Sequence, residues 1–260
     1  ILNPDTIVES NWIEELISAY NKFGEGLYQP KHLSLNKKTV YMSAGNMLNI
    51  FGFGYAREKG NKDENQFNKI EEIGYASGTC LFTSSAVLKK VGLFDPFIFL
   101  YHDDLDLGWR ASQLGIKSYY VPTSLIYHAE SYSLKWNAEK FYWLERNRKY
   151  CILTHYSKQT YSKIFPTLLA VDFFVWMFYL TKGFLWSKIR AELDIIKNRK
   201  AIKTKYEELE SKKIVSDKEL ITKFSDSLHV PSNVTGKNTN SIFNSVIRRL
   251  SKSAKKSLVN

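Results

Sequence analysis

Residues 164–186 read IFPTLLAVDFFVWMFYLTKGFLW, an apolar run long enough to cross a bilayer. A run of this kind cannot be left facing water, so it limits what the rest of the chain can be. Pro166, Asp172 and Lys182 interrupt it, and a charge at mid-bilayer costs about 2.5–3.5 kcal/mol. Three placements stay open: a helix lying in or re-entering the membrane interface, a true span, or a helix buried in a protein core.

The charge around this run is uneven. The net charge is +11. Residues 187–260 hold 17 Lys and Arg against 8 Asp and Glu, while residues 1–186 hold 20 against 18. A near-neutral body argues against nucleic acid as the partner; a basic tail beside an apolar run points to an anionic membrane surface. The last segment, SIFNSVIRRLSKSAKKSL, places Ile242, Phe243, Val246, Ile247 and Leu250 on one helical face, with the basic residues largely off it. Lying on a membrane and docking on the chain's own domain are the two readings of that face. Cys80 and Cys151 are far apart and lack CxxC spacing. That argues against zinc or a disulfide framework and suits buried free thiols in a reducing compartment.

Upstream of residue 160, helical and extended patterns alternate. NPDT at 3–6 is turn chemistry after an apolar strand end. SNWIEELISAYNKFG carries apolar residues at 12, 13, 16, 17 and 20, a helical stripe ending near Gly24. A strand and short helix opened by Ser84 or Ser85 are predicted in 74–94, a helix over DDLDLGWRASQLG stopped by Gly115, and strand, Pro-bearing bend, strand over 117–128. A further helix is predicted over 139–158 and a charged one around 187–215. The pattern predicts an α/β sheet with helices on its faces.

The stretch FLYHDDLDLGWR at 99–110 gathers His102, Asp103, Asp104 and Asp106 into five positions. Adjacent like charges repel, so a fold gains little from such a cluster. Asp106 and Arg110 are spaced as an i,i+4 pair and read as structural. Asp103 reads as an N-cap and Asp104 as a first-turn residue favoured by the helix dipole. The same pair, in a loop entering a helix at a sheet edge, stands where α/β proteins place their chemistry, and a carboxylate there can take a proton from an attacking hydroxyl. Asp5 and His128, at strand ends, are a turn residue and a core or surface histidine when read singly. Converging at one mouth of a parallel sheet, they could hold Mg2+ or Mn2+ with open positions for phosphate oxygens.

The order of these motifs resembles the family 2 glycosyltransferases of GT-A fold, in the branch that includes rhamnosyltransferase-like and galactofuranosyltransferase-like enzymes. The resemblance rests on LNPDT at 2–6, the WIEEL helix, SAGNMLNIFGFG at 43–54, YASGTCLFTSSAVLKKVGLFD at 75–95, FLYHDDLDLGWRASQLG at 99–115, YYVPTSLIYH at 119–128 and YWLERNR at 142–148. It covers most of residues 1–158 and none of 187–260. It implies a metal-binding carboxylate at Asp5, in a DxD-like motif whose first acid is here the amide Asn3, so that Asn3 and Asp5 face the donor. His128 would complete the metal site and Asp104 would be the general base, with Asp103 supporting it. Gly78 and Trp109 would lie near the acceptor.

The function implied is inverting, metal-dependent transfer from a nucleotide-diphospho-sugar to a glycan or lipid-linked acceptor, at the cytoplasmic face of a membrane. The division expected is a partial GT-A domain at 1–158, an apolar membrane-associated segment at 159–186 and a basic helical tail at 187–260. The resemblance also implies that strands binding the donor's base and ribose precede Ile1. A reading from another class is a non-catalytic remnant or partner subunit that binds glycan or a companion chain.

Overall fold

The computed structural model describes residues 1–129, 137–228 and 237–259, the side chains of 237–242 and Val259 excepted. Its central sheet is built around one long strand, β7 (Lys117–His128). On one side β7 pairs in parallel with β2 (Gly26–Ser34), which in turn pairs antiparallel with β3 (Tyr41–Ser43). The other side of β7 is shared: β1 (Thr6–Val8) covers its C-terminal end and β6 (Glu71–Ile73) its N-terminal part, both antiparallel. The expected parallel sheet is therefore corrected to a mixed one, in which β2–β7 is the parallel pairing among the described strands. The predicted Pro-bearing bend is an irregularity inside one strand. Pro30 pairs with Val121 and Lys31 with Leu125, so β7 bulges across Pro122, a residue with no N–H to give the ladder. A hairpin, β4 (Asn46–Leu48) with β5 (Gly54–Ala56), lies apart from the sheet.

Helices α1 and α2 begin or end at signals the sequence carries. Helix α1 (Trp12–Phe23) carries Glu14 and Glu15 in its first turn and stops at Gly24, at φ +81°. Leu16 and Ala19 are its buried residues, against Tyr28 and Val121, while Ile17 of the expected stripe faces solvent. Helix α2 (Ser85–Val91) is capped by Ser84, whose Oγ accepts from the Val87 N–H at 3.1 Å. Helix α3 (Asp103–Gln113) lies across the segment at Tyr75; a Cβ on Gly108 would stand 2.4 Å from the Tyr75 Cβ, so a larger residue would push the two apart.

The C-terminal half is helical: α4 (Ala138–His155), α5 (Lys158–Thr181), α6 (Leu185–Lys197), α7 (Arg199–Lys212), α8 (Asp217–Lys223) and α9 (Lys237–Val259). The single charged helix expected around 187–215 is two, broken at Asn198. These helices share one core with the upstream part: Leu48, Phe51, Leu105 and Trp109 belong to the same apolar cluster as Ile164, Val175, Leu220, Ile247 and Leu258. Of the face predicted on the last segment, Ile247 is buried and Phe243 and Leu250 pack against this cluster, so α9 docks on its own domain; the Ile242 side chain lies outside the described residues. Most of the polar stretch preceding α9 also lies outside them. Both cysteines are buried free thiols.

Candidate active site

Helix α3 starts abruptly. The two residues before it, Tyr101 and His102, both have left-handed backbones, at φ +63° and +64°. That region is costly for bulky non-glycine residues, by about 1–3 kcal/mol each. His102 is the N-cap residue but gives no side-chain cap. Asp103 is thus the first helical residue, not the cap it was expected to be. The strained turn compresses the approach to the helix so that Asp103 and Asp104 emerge together beside Gly78.

Asp104 is held from two sides. Its Oδ2 accepts from the Gly78 N–H at 3.0 Å and its Oδ1 from the Leu105 N–H at 2.8 Å. A Cβ built on Gly78 would lie 3.8 Å from Asp104 Oδ2 and 3.9 Å from Asp103 Oδ2, so both carboxylates face that glycine. Burial, and then the neighbouring Asp103 charge, push the Asp104 carboxyl up to about 7; burial raises Asp103 as well. A carboxylate poised there suits general base work.

The clamp behind this turn was not read from the sequence as functional. It is the ERNR stretch of α4. Asn147, fully buried, donates from Nδ2 to the carbonyls of Leu100 and Tyr101, each at 2.8 Å. Arg146 donates to Asn147 Oδ1 at 2.9 Å, which fixes the amide's orientation, and to the Phe97 carbonyl at 2.6 Å. Arg148 donates to the Phe51 carbonyl at 3.0 Å. Three consecutive side chains thus satisfy backbone acceptors in two loops. Asp95 holds the same loop from its start, through the Phe97 N–H at 2.9 Å and the Tyr150 hydroxyl at 2.8 Å. A polar run inside an otherwise buried helix was the available signal, since such groups need partners.

Asp106 and Arg110 form the predicted pair, fully enclosed: Arg110 Nε donates to Asp106 Oδ2 at 2.8 Å and its other nitrogens reach the Val91 and Leu93 carbonyls. His155 Nε2 stands 3.3 Å from Asp106 Oδ1. Burial, and then Arg110, hold His155 down to about 3, so it is neutral. Trp109 belongs to this layer. It is 1% exposed and packs on His155, Tyr156 and Phe224. The expectation that Trp109 touches an acceptor is corrected: it lies five residues after Asp104 and is enclosed in the core.

Asp5 and His128 do meet. The β1–β7 register pairs Thr6 with His128, and the Ala129 N–H donates to the Asp5 carbonyl at 3.0 Å. Asp5 Oδ1 and His128 Nε2 are then 3.3 Å apart. Neighbouring ligands of an octahedral ion at about 2.1 Å stand about 3 Å apart, so an oxygen and an imidazole nitrogen at this separation fit a hard divalent ion with open positions. Buried His32 lies close by on β2; burial, and then His128, hold it down to about 3. Asn3 links the two halves. Its N–H donates to the Thr79 carbonyl at 2.9 Å, next to Gly78, and its carbonyl accepts from Thr6 Oγ1 at 2.7 Å. Hydrogen bonds from Gly78 to Asp104 and from Asn3 to Thr79, joined by short backbone steps, therefore connect the Asp104 turn to the segment that carries Asp5.

A second group of acids, Glu145, Asp172 and Glu192, is close enough to hold an ion. The Lys188 ammonium already stands among them, at 2.5, 2.8 and 2.7 Å. Burial would raise Glu145; Arg148 and Lys188 overcome it and hold that carboxyl at about 2. This cluster is a structural ion network, with an amine where a metal would sit.

With this geometry in view, the chain is placed by comparison. Residues 3–151 match the model of glycosyltransferase like family 2, more than half the chain, and the chain belongs to that family. It is similar to N-acetylglucosaminyl-diphospho-decaprenol L-rhamnosyltransferase from two strains of Mycobacterium tuberculosis, at 38% identity over 61 residues, 24% of this chain and 20% of each relative. The match thus spans about a fifth of the relatives' length. Among solved structures it is similar to GalNAc-T7 with UDP, GalNAc and Mn2+, at 14% identity and a TM-score of 0.46, covering 64% of this chain and 33% of that one.

Proposed function

We propose that the chain carries the base and the metal-binding edge of an inverting glycosyltransferase, which moves a sugar from a nucleotide-diphospho-sugar to a glycan or lipid-linked acceptor. The observation that carries this reading is Asp104, fixed between the Gly78 and Leu105 N–H groups with its carboxyl pushed up to about 7. Ionised, Asp104 takes the proton of an acceptor hydroxyl. The hydroxyl oxygen bonds to the anomeric carbon from the face opposite the nucleotide diphosphate, whose bond to that carbon breaks, and the configuration inverts. Asp103 stands beside the base, where its charge helps to raise the Asp104 carboxyl, and Gly78 leaves room in front of both. Asp5 and His128 would hold Mg2+ or Mn2+, whose charge would offset that of the pyrophosphate. Membership of family 2 supports glycosyl transfer, and the partial relative, named for a diphospho-decaprenol substrate, supports a lipid-linked acceptor.

The test is nucleotide release from UDP-, GDP- and dTDP-sugars by the product of the complete gene, with Mn2+ and a membrane lipid extract as acceptor source. Release that needs the metal and the extract, and falls in Asp5→Ala through a higher Mn2+ requirement, supports the reading. Absence of both transfer and metal-dependent donor hydrolysis would favour a non-catalytic partner subunit.

A further inference from the structure

Helix α5 has two apolar faces, and the protein uses one. Ile164, Leu168, Val171, Val175 and Tyr179 are buried against the domain. On the opposite side Phe165, Leu169, Phe173, Met177 and Leu180 recur at helical spacing and are between 41% and 61% exposed. At about 1.5 Å per residue they form a ridge roughly 22 Å long. Just beyond the helix, Trp186 is 71% exposed. A continuous ridge of this size marks an interaction site, whereas scattered apolar residues do not.

The charges around the ridge bear on its partner. Lys158 and Lys163 at one end of the ridge and Lys182 at the other are exposed. Helix α9 packs beside α5, with Ser257 Oγ donating to the Lys163 carbonyl at 3.3 Å, and leaves Arg248, Arg249, Lys252 and Lys256 in solvent. Asp172 is the acid of α5, and it is held by Lys188 at 2.8 Å, Lys149 at 3.3 Å and Arg148 at 3.4 Å. An apolar ridge bordered by cations, its acid already paired inward, complements an anionic lipid surface.

The same ion network decides how the helix lies. Asp172 ties the middle of α5 to α4 and α6. A spanning α5 would have to carry Glu145, Arg148, Lys149, Lys188 and Glu192 into the bilayer with it, each charge at about 2.5–3.5 kcal/mol on insertion scales. We propose that α5 lies in the plane of an anionic membrane, its Phe165–Leu180 ridge sunk into one leaflet and the rest of the domain outside the hydrocarbon. This docking does not depend on the transferase reading.

The experiment is co-sedimentation of the full chain, with or without Asp104→Asn, on vesicles of phosphatidylcholine containing or lacking 30% phosphatidylglycerol. Expected is binding that needs the anionic lipid, weakens in high salt, is the same in Asp104→Asn, and drops at least tenfold in Leu169→Ser/Phe173→Ser. Both of those residues are more than half exposed, so the double variant should keep its circular dichroism and Tm. Nitroxides on Phe165→Cys, Phe173→Cys and Leu180→Cys should report one shared depth. No binding, binding indifferent to the double variant, or depths graded across the bilayer would overturn the proposal. So would self-association that the double variant abolishes, since a second copy would then be the occupant.

Discussion

Replacing Asn147 by leucine tests whether the ERNR stretch builds the site. The side chain is fully buried. Leucine removes two hydrogen bonds donated at 2.8 Å to the Leu100 and Tyr101 carbonyls and one accepted at 2.9 Å from Arg146 Nε. A typical bond contributes about 0.5–1.5 kcal/mol net, and each enclosed partner left unsatisfied costs about 1–3 kcal/mol. Relaxation of the loop recovers part of this, because Tyr101 and His102 can leave their left-handed backbones once released. The expected loss is about 2–5 kcal/mol. It is read by urea denaturation, with the midpoint shifted and the slope kept. The relaxation that limits the stability loss also moves Asp103 and Asp104 away from Gly78, so kcat should fall much more than donor KM rises. A stability change below about 0.5 kcal/mol, the size of an ordinary surface substitution, together with an unchanged kcat, would refute the clamp.

Three further outcomes follow. Lys188→Met leaves Glu145, Asp172 and Glu192 without the ammonium now within 2.8 Å of each; breaking a buried pair of this kind should cost about 3–5 kcal/mol by chemical denaturation. Gly78→Ala places a methyl no closer than 3.5 Å to Asp104, so Tm should hold while acceptor KM rises, measured by steady-state transfer. For Asp104 itself, a folded pKa of about 7 lies above the unfolded value. The stability it contributes is therefore full below about pH 4 and is lost as pH rises through about 7. In thermal scans the Tm difference between Asp104→Asn and the wild type should grow from pH 5 to pH 8 in favour of the variant.

Much of the site was legible because its signals are local. The NPD turn, the DD pair at a helix start, the i,i+4 spacing of Asp106 and Arg110, and Ser84 before α2 each depend on a few neighbouring residues, and each is found where it was expected. Asp5 with His128 needed the β1–β7 register, which the order of motifs implied through resemblance and the spacing did not. Trp109 went wrong for a physical reason: proximity in sequence to Asp104 says nothing about direction, and five residues along a helix turn a side chain away to the other face. The clamp escaped notice because Asn147 acts across 46 residues on backbone carbonyls, which leave no mark in a side-chain pattern. The antiparallel partners of β7 leave little trace in the sequence, because strands of three residues carry too little periodicity to reveal their pairing. The apolar run had three readings in the sequence, and the ion network around Asp172, which bears on the spanning one, is formed with residues of α4 and α6 that lie far from Asp172 in sequence.

Asp104 is the proposed base. The most direct measurement is the pH dependence of kcat/KM for transfer in the wild type, Asp103→Asn and Asp104→Asn, with donor affinity measured alongside. The wild-type rate should rise to a plateau through about pH 7, where burial and Asp103 place the carboxyl. Removing the Asp103 charge should move that rise to lower pH, because the second cause of the elevation is gone. Asp104→Asn should lose about 10²–10⁴-fold while donor affinity persists. Near-wild-type turnover in Asp104→Asn, or a rise that stays in place in Asp103→Asn, would contradict the account.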